Sequence, residues 1–170
     1  MTFVIWMTGL PCSGKTTISH RLRDYISNLA VLDGDELRQW LSLNDFSTED
    51  IALHNKRVAH LAKLLLNHKV PVCVALVSPF HKNRYDARKI IDSDNFIQLY
   101  LKCEQFVCEK RDVKGLYKKA REGLIKDFLG IDNRYEIPTN PDLIIDTENF
   151  SVEQNVQQIV NHLKAKKFLK

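Results

Sequence analysis

Gly9-Leu10-Pro11-Cys12-Ser13-Gly14-Lys15-Thr16 fits the pattern G-x-x-x-x-G-K-[ST]. In that pattern the glycines let backbone N–H groups turn inward around phosphate oxygens, the lysine reaches the terminal phosphates and the last hydroxyl binds a magnesium ion. The pattern carries this meaning only between a strand and a helix. Here the apolar run Phe3–Met7 precedes it, and a helical pattern follows with Ile18, Leu22 and Ile26 at steps of four. A helix opening near Thr16 adds about half a positive charge at its N-terminus, which favours an anion there.

Outward from the cradle, short apolar runs alternate with longer helical patterns. Strands are expected at Phe3–Met7, Ala30–Leu32, Pro71–Val77, Phe96–Leu101 and Leu143–Ile145. Helices are expected at Thr16–Ile26, Asp35–Leu41, Thr48–Asn67, Lys82–Ile91, Glu104–Arg111 and Ser151–Lys164. Ser47 is the candidate cap of the long third helix, with Asp50 three residues on. Such alternation implies right-handed crossovers and a parallel sheet with helices on both faces. The expected fold is α/β, a P-loop NTPase-type three-layer sandwich, with residues 1–170 as one domain. Residues 113–138 fit neither strand nor core helix. They are polar, basic and glycine-punctuated, and read as a lid over a site. Ala165–Lys170 carries three lysines and reads as a solvated tail.

Composition narrows the classes. The 170 residues are 44% hydrophobic and 27% charged, ordinary for a folded domain. No stretch approaches the roughly 20 apolar residues of a membrane span, and no secretory signal opens the chain. Four cysteines show no C-x-x-C pair, and Cys73 and Cys103 sit in apolar runs, so buried free thiols in a cytoplasmic protein are expected. The net charge of +4 is concentrated: residues 110–126 hold seven basic and two acidic side chains, a local +5. A nucleic-acid surface is disfavoured, because Tyr117 is the single aromatic of that segment. The charge suits a lid over polyphosphorylated nucleotides.

A P-loop alone leaves a GTPase switch, an ATP-driven motor, a nucleotide kinase and a sulfotransferase relative open. The chain has no Asn-Lys-x-Asp, and its valine-rich third strand runs into Ser78 rather than a magnesium-binding aspartate. A small-molecule kinase fits best. Strand C-termini share one edge of a parallel sheet, so Asp33-Gly34-Asp35 should face the P-loop. Asp35 is the candidate to accept a proton from an attacking hydroxyl. Asp33 or Asp35 is expected to cap the helix that follows. Arg38, one turn on, is placed to meet a substrate phosphate or to pair with Asp35 or Glu36.

Several segments resemble adenylylsulfate kinases: Asp33-Gly34-Asp35-x-x-Arg38, Phe46-Ser47-x-Glu49-Asp50, Ser78-Pro79-Phe80-x-x-x-Arg84, Arg111–Arg121 and Phe128-Leu129-Gly130-Ile131-Asp132. The resemblance runs from about Val4 to Leu163. It implies ATP- and magnesium-dependent phosphorylation of a nucleotide's ribose 3′-hydroxyl, usually by a homodimer. Gly9 to Thr17 (Gly9, Leu10, Pro11, Cys12, Ser13, Gly14, Lys15, Thr16, Thr17) would hold ATP with Arg111, and Thr16 the metal. Lys15, Asp35 and Ser78 would be catalytic, Ser78 through phosphate or metal water rather than as a covalent nucleophile. Arg38, Phe46, Ile51, His54, Lys114, Phe128 and Leu129 would line the acceptor, with Phe46 and Phe128 sandwiching its base.

The chain departs from the family pattern where the acceptor binds. Asp-Arg-x-x-Asn is here Asp50-Ile51-Ala52-Leu53-His54, and the loop from Arg38 to Phe46 is one residue shorter. Leu129 replaces a threonine and Asn83 an aspartate. Loss of a buried charged contact typically costs about 2–5 kcal/mol, so altered acceptor choice is expected. The resemblance offers a branch with such a change, the cytidine diphosphoramidate kinases of capsule biosynthesis, and that acceptor is expected first, adenylylsulfate second. A non-catalytic nucleotide-binding module is the reading of another class.

Overall fold

The fold is described from a computed structural model, over residues 2–41, 47–125, 128–131 and 135–169. Five strands, β1 (Val4–Thr8), β2 (Ala30–Asp33), β3 (Val72–Ala75), β4 (Phe96–Lys102) and β5 (Leu143–Asp146), form one parallel sheet in the order β2-β3-β1-β4-β5. The strand carrying the P-loop is therefore central and completely buried. Helices α1 (Lys15–Arg21), α2 (Gly34–Trp40), α3 (Thr48–Asn67), α4 (His81–Ile91), α5 (Gln105–Arg111), α6 (Leu116–Arg121) and α7 (Val152–Ala165) complete the described elements.

Alternation along β1 divides the core. Phe3, Ile5 and Met7 face a cluster with Ile18 and Leu22 near α1 and with Val156, Ile159 and Leu163 of α7. Val4 and Trp6 face the opposite cluster, with Val58, Ala59 and Ala62 of α3 and Ala87 and Ile91 of α4. Two apolar layers on one buried sheet make the expected three-layer sandwich. Among the described residues no helix is long and apolar enough to cross a membrane.

Local signals set several boundaries. Ser47 caps α3, its hydroxyl accepting from Asp50 N–H at 3.2 Å, and α3 spans the residues its periodicity predicts. Asp33, not Asp35, caps α2, accepting from the backbone N–H groups of Asp35 and Glu36. Ser151 and Gln154 close a reciprocal capping box on α7.

Three expectations are corrected. The Thr16–Ile26 helix ends as an α-helix at Arg21 and tightens to a 3₁₀ turn over Leu22–Asp24. The lid segment contains α6, whose first turn is held from outside by Asp112: its two carboxylate oxygens accept from Tyr117 N–H and Lys118 N–H, each at 3.0 Å. The C-terminal tail is not simply solvated. Lys167 adopts φ 62° after α7, which turns the chain back, and Phe168 packs edge-on against Phe3 with ring centroids 5.3 Å apart. The buried-thiol reading of Cys73 and Cys103 agrees with the structure, and all four cysteines are free.

Ile159 is 1% exposed within the α1/α7 cluster. Ile159→Ala is expected to lower unfolding stability by about 2–5 kcal/mol, measured by urea denaturation with an unchanged m value.

Candidate functional site

The carboxyl ends of β1, β2, β3 and β5 open on one side of the sheet, where Arg111, Val113, Lys114, Leu116, Ile125 and Phe128 also line the opening. Together they enclose a cavity of about 1070 Å³. Its phosphate end is shaped by backbone. A side chain at Gly9 would sit 2.7 Å from Leu101 O, and Gly14 has φ 94°, so each position demands glycine for a different reason.

Lys15 is buried at this end, its Nζ donating to Gly9 O at 2.9 Å, Leu10 O at 2.7 Å and Ser13 Oγ at 3.3 Å. Burial lowers its pKa to about 8, with Asp35 opposing that shift. A buried ammonium held by neutral oxygens on one side and open to a cavity on the other is matched to a polyanion. Pro11, Cys12, Gly14, Thr16 and Thr17 also line the cavity. Gly9, Leu10 and Ser13 lie in the wall behind it: Ser13 is fully buried beside Lys15, and Leu10 packs on the lid cluster around Tyr117.

Thr16 Oγ1 donates to Asp33 Oδ2 at 2.7 Å, and Asp33 is 4% exposed. Asp33 is thus more than a cap. It lies beside the hydroxyl expected to bind magnesium and supplies the carboxylate absent after β3. Among the described residues no three His, Cys, Asp or Glu side chains converge as a metal cage. Thr16 and Asp33 therefore fit a magnesium ion that takes most of its ligands from phosphate and water.

Asp35 stands just beyond β2, exposed in the first turn of α2, and its carboxylate meets Lys114 Nζ of the lid at 2.5 Å. Arg38 lines the cavity, yet its predicted partners are replaced: Arg38 Nη1 donates to Asp50 Oδ2 at 2.8 Å, an ion pair largely shielded from solvent that ties α2 to α3. Ile51 and His54 follow on α3 and both line the cavity, 4% and 2% exposed. Among the described residues, neither ring nitrogen of His54 has a hydrogen-bond partner. Burial, reinforced by the Arg38 charge, pushes its pKa down to about 4. The imidazole is therefore neutral at neutral pH, with one donor and one acceptor to offer.

Two expectations change. Ser78 lines the cavity but is 2% exposed, and its hydroxyl accepts from Trp6 Nε1–H at 3.2 Å and donates to Asn55 Oδ1 at 2.6 Å. Its proton is thus given to a carboxamide rather than left free toward the cavity, an engagement the expected catalytic role did not include. Phe128 reaches the cavity, but it is 9% exposed and packed edge-on against Tyr117 at 5.0 Å, rather than an open stacking platform. Phe46 lies outside the described residues. Leu129 lines the cavity as expected.

The opposite end was missed from sequence. Thr147, Asn149, Phe150 and Val152, after β5, line the cavity there. Arg111 joins them, Nη2 donating to Thr147 O at 2.5 Å and Nη1 to Thr147 Oγ1 at 3.4 Å. These residues carry no motif; their only sequence signal is their place after the last strand.

The family model for adenylylsulphate kinase matches residues 1–146. The adenylyl-sulfate kinase of Oceanobacillus iheyensis is 42% identical over 171 residues, covering 98% of this chain and 86% of that protein. The Mycobacterium tuberculosis APS kinase CysC, solved in complex with AMPPNP and APS, superposes with a TM-score of 0.89 at 36% identity, covering 96% and 98% of the two chains. Shikimate kinase from Aquifex aeolicus, at a TM-score of 0.59 and 17% identity over 99% and 100%, shares the fold.

If the buried Lys15 ammonium holds the nucleotide phosphates, affinity falls as that ammonium deprotonates. Calorimetric titration with a non-hydrolysable ATP analogue should show Kd rising above pH 8, approaching tenfold per unit. Lys15→Met should bind weakly with no such slope, and a flat wild-type profile from pH 7 to 10 contradicts this role.

Proposed function

Because this chain belongs to the adenylylsulphate kinase family, we propose that it transfers the γ-phosphoryl group of ATP to the ribose 3′-hydroxyl of adenylylsulfate. The relatives' activity gives that acceptor precedence over cytidine diphosphoramidate, which the sequence departures suggested first. The observation that carries the reading is that the buried Lys15 and the strand-end carboxylate Asp35 line one continuous cavity, with Lys114 of the lid against Asp35.

The roles follow from charge and position. The P-loop N–H groups and Lys15 bind and orient the β- and γ-phosphates. Thr16 and Asp33 would hold a magnesium ion, which would supply compensation for charge on the transferred group. Arg111 and the residues after β5 take the nucleoside of ATP, at the end of the cavity away from Asp35. Asp35 accepts the proton of the 3′-hydroxyl as its oxygen attacks in line. The basic lid excludes water, and Lys114 shifts from Asp35 toward the phosphates once both nucleotides are present. In-line transfer needs this positioning and charge compensation, not a covalent enzyme intermediate.

We read residues 1–170 as one kinase unit with 113–138 as its lid. The four free thiols suit a reducing cytoplasm. A homodimer is part of the same proposal, supported by exposed Leu53 and Leu64, three turns apart along α3, and by exposed Trp40 on α2.

Ile51 and His54 favour a second acceptor. An aliphatic side chain and a neutral imidazole give no cation to a sulfate, while an unpartnered imidazole acceptor suits a 5′ group bearing its own N–H. Cytidine diphosphoramidate has that chemistry.

Purified enzyme with ATP and magnesium is expected to phosphorylate adenylylsulfate, with cytidine diphosphoramidate assayed in parallel. Faster turnover of the phosphoramidate by orders of magnitude moves the assignment to the second acceptor. Turnover of neither contradicts the kinase reading. Asp35→Asn should slow transfer at least about a hundredfold, the scale of about 2.7 kcal/mol in the barrier. Near-normal activity removes Asp35 from the mechanism. The double substitution Ile51→Arg with His54→Asn should shift kcat/KM toward adenylylsulfate by about tenfold or more; an unchanged ratio shows that these residues do not select the acceptor.

A further inference from the structure

Ser78 sits in a continuous buried hydrogen-bond chain that joins the centre of the sheet to α3. Trp6 of β1 is fully buried, and its Nε1–H donates to Ser78 Oγ at 3.2 Å. Ser78 Oγ donates to Asn55 Oδ1 at 2.6 Å, and Asn55 Nδ2 donates to Ile51 O at 2.8 Å. Ser78 and Asn55 are 2% and 3% exposed. The serine backbone is fixed as firmly as its hydroxyl. Its φ of 44° is uncommon for a side-chain-bearing residue. Its carbonyl accepts from Arg84 Nη1 at 2.6 Å and from Thr8 Oγ1 at 3.1 Å.

The turn of α3 gripped through Asn55 runs from Ile51 to Asn55, and its Ile51 and His54 side chains line the cavity wall beside Arg38. Among the described residues, Trp6 Nε1–H has Ser78 Oγ as its partner, and so has Asn55 Oδ1. Removing the hydroxyl therefore leaves a buried donor and a buried acceptor unpaired on opposite sides of one atom. The strained backbone holds that atom at the sheet edge where β1 and β3 end.

We infer that Ser78 is a positioning residue. Its hydroxyl ties the Ile51–Asn55 turn of α3 to Trp6, and so sets where the acceptor nucleotide's wall stands without touching the transferred phosphoryl group. This rests on the reading of the α2–α3 side as the acceptor side. It separates the two substrates: α3 belongs to the acceptor, while the ATP end, from the P-loop to the residues after β5, is held by other contacts.

The test is Ser78→Ala, with Asn55→Ala breaking the same link from the helix side, where alanine is a good helix former. Steady-state kinetics in both variants should show KM for the acceptor raised about tenfold, the scale of leaving buried polar groups unpaired, with KM for ATP within about twofold of wild type. Hydrogen exchange should show the Ile51–Asn55 amides opening faster than in wild type, while the P-loop amides are unchanged. The exchange readout needs no acceptor, so it reports on the tie even if wild-type enzyme turns over neither nucleotide, an outcome that overturns the functional reading alone. The inference is overturned if kcat collapses with the acceptor KM unchanged, or if both KM values rise together. It is also overturned if α3 exchange is unaltered in both variants, or if γ-labelled ATP leaves a phosphoryl group on Ser78.

Discussion

A lysine ammonium taken out of water is the constraint around which this molecule is arranged. Lys15 is buried in a loop whose carbonyls and one hydroxyl satisfy its protons on the protein side, and that burial lowers its affinity for the proton it carries. Such a charge is costly unless something anionic completes its environment. The central, fully buried strand delivers it to the sheet edge. Gly9 and Gly14 let the loop close around it, and β2, the edge strand beyond β3, brings Asp33 to Thr16 and leads to Asp35 at the cavity mouth. The basic side chains of the lid, Lys114 among them, add positive charge over the same volume, which suits phosphate-bearing ligands.

The two ends of the cavity are built on different terms. The phosphate end is backbone-shaped and holds the residues that phosphoryl transfer needs. The α2–α3 end is shaped by side chains: the shielded Arg38–Asp50 pair, aliphatic Ile51 and the neutral, unpartnered His54. Chemistry can therefore stay fixed while acceptor choice changes, because the residues that differ from the family pattern sit on α3 and not on the loop after β1. Pairing Arg38 with Asp50 also changes its meaning. It braces the wall between α2 and α3 as much as it offers charge to a substrate.

Much of this was legible from local patterns. The P-loop, the period of α3 and the Ser47 cap depend on residues close in sequence, and the α/β alternation followed from them. Asp35 was legible because a parallel sheet puts strand ends on one edge. Other features depend on contacts between distant residues, and no local pattern encodes them. Helix α6 is six residues long and stands because Asp112 accepts from the N–H groups of its first turn and Tyr117 is buried. The tail folds back because Phe168 meets Phe3, and the Arg38–Asp50 pair forms because two helices cross. Ser78 read as catalytic through the family resemblance, which carries no information on what its hydroxyl meets in this chain. Only the positions of Trp6 and Asn55 reveal that its hydroxyl is already committed.

The central claim is direct, in-line transfer between two nucleotides held in one cavity, with Asp35 taking the proton and no enzyme-bound phosphoryl group. The stereochemical course at phosphorus tests it most directly. With ATP made chiral at the γ-phosphorus by oxygen isotopes and sulfur, a single displacement predicts inversion of configuration in the 3′-phosphorylated product. Retention would mean two successive displacements through a phosphorylated side chain, and would contradict the account.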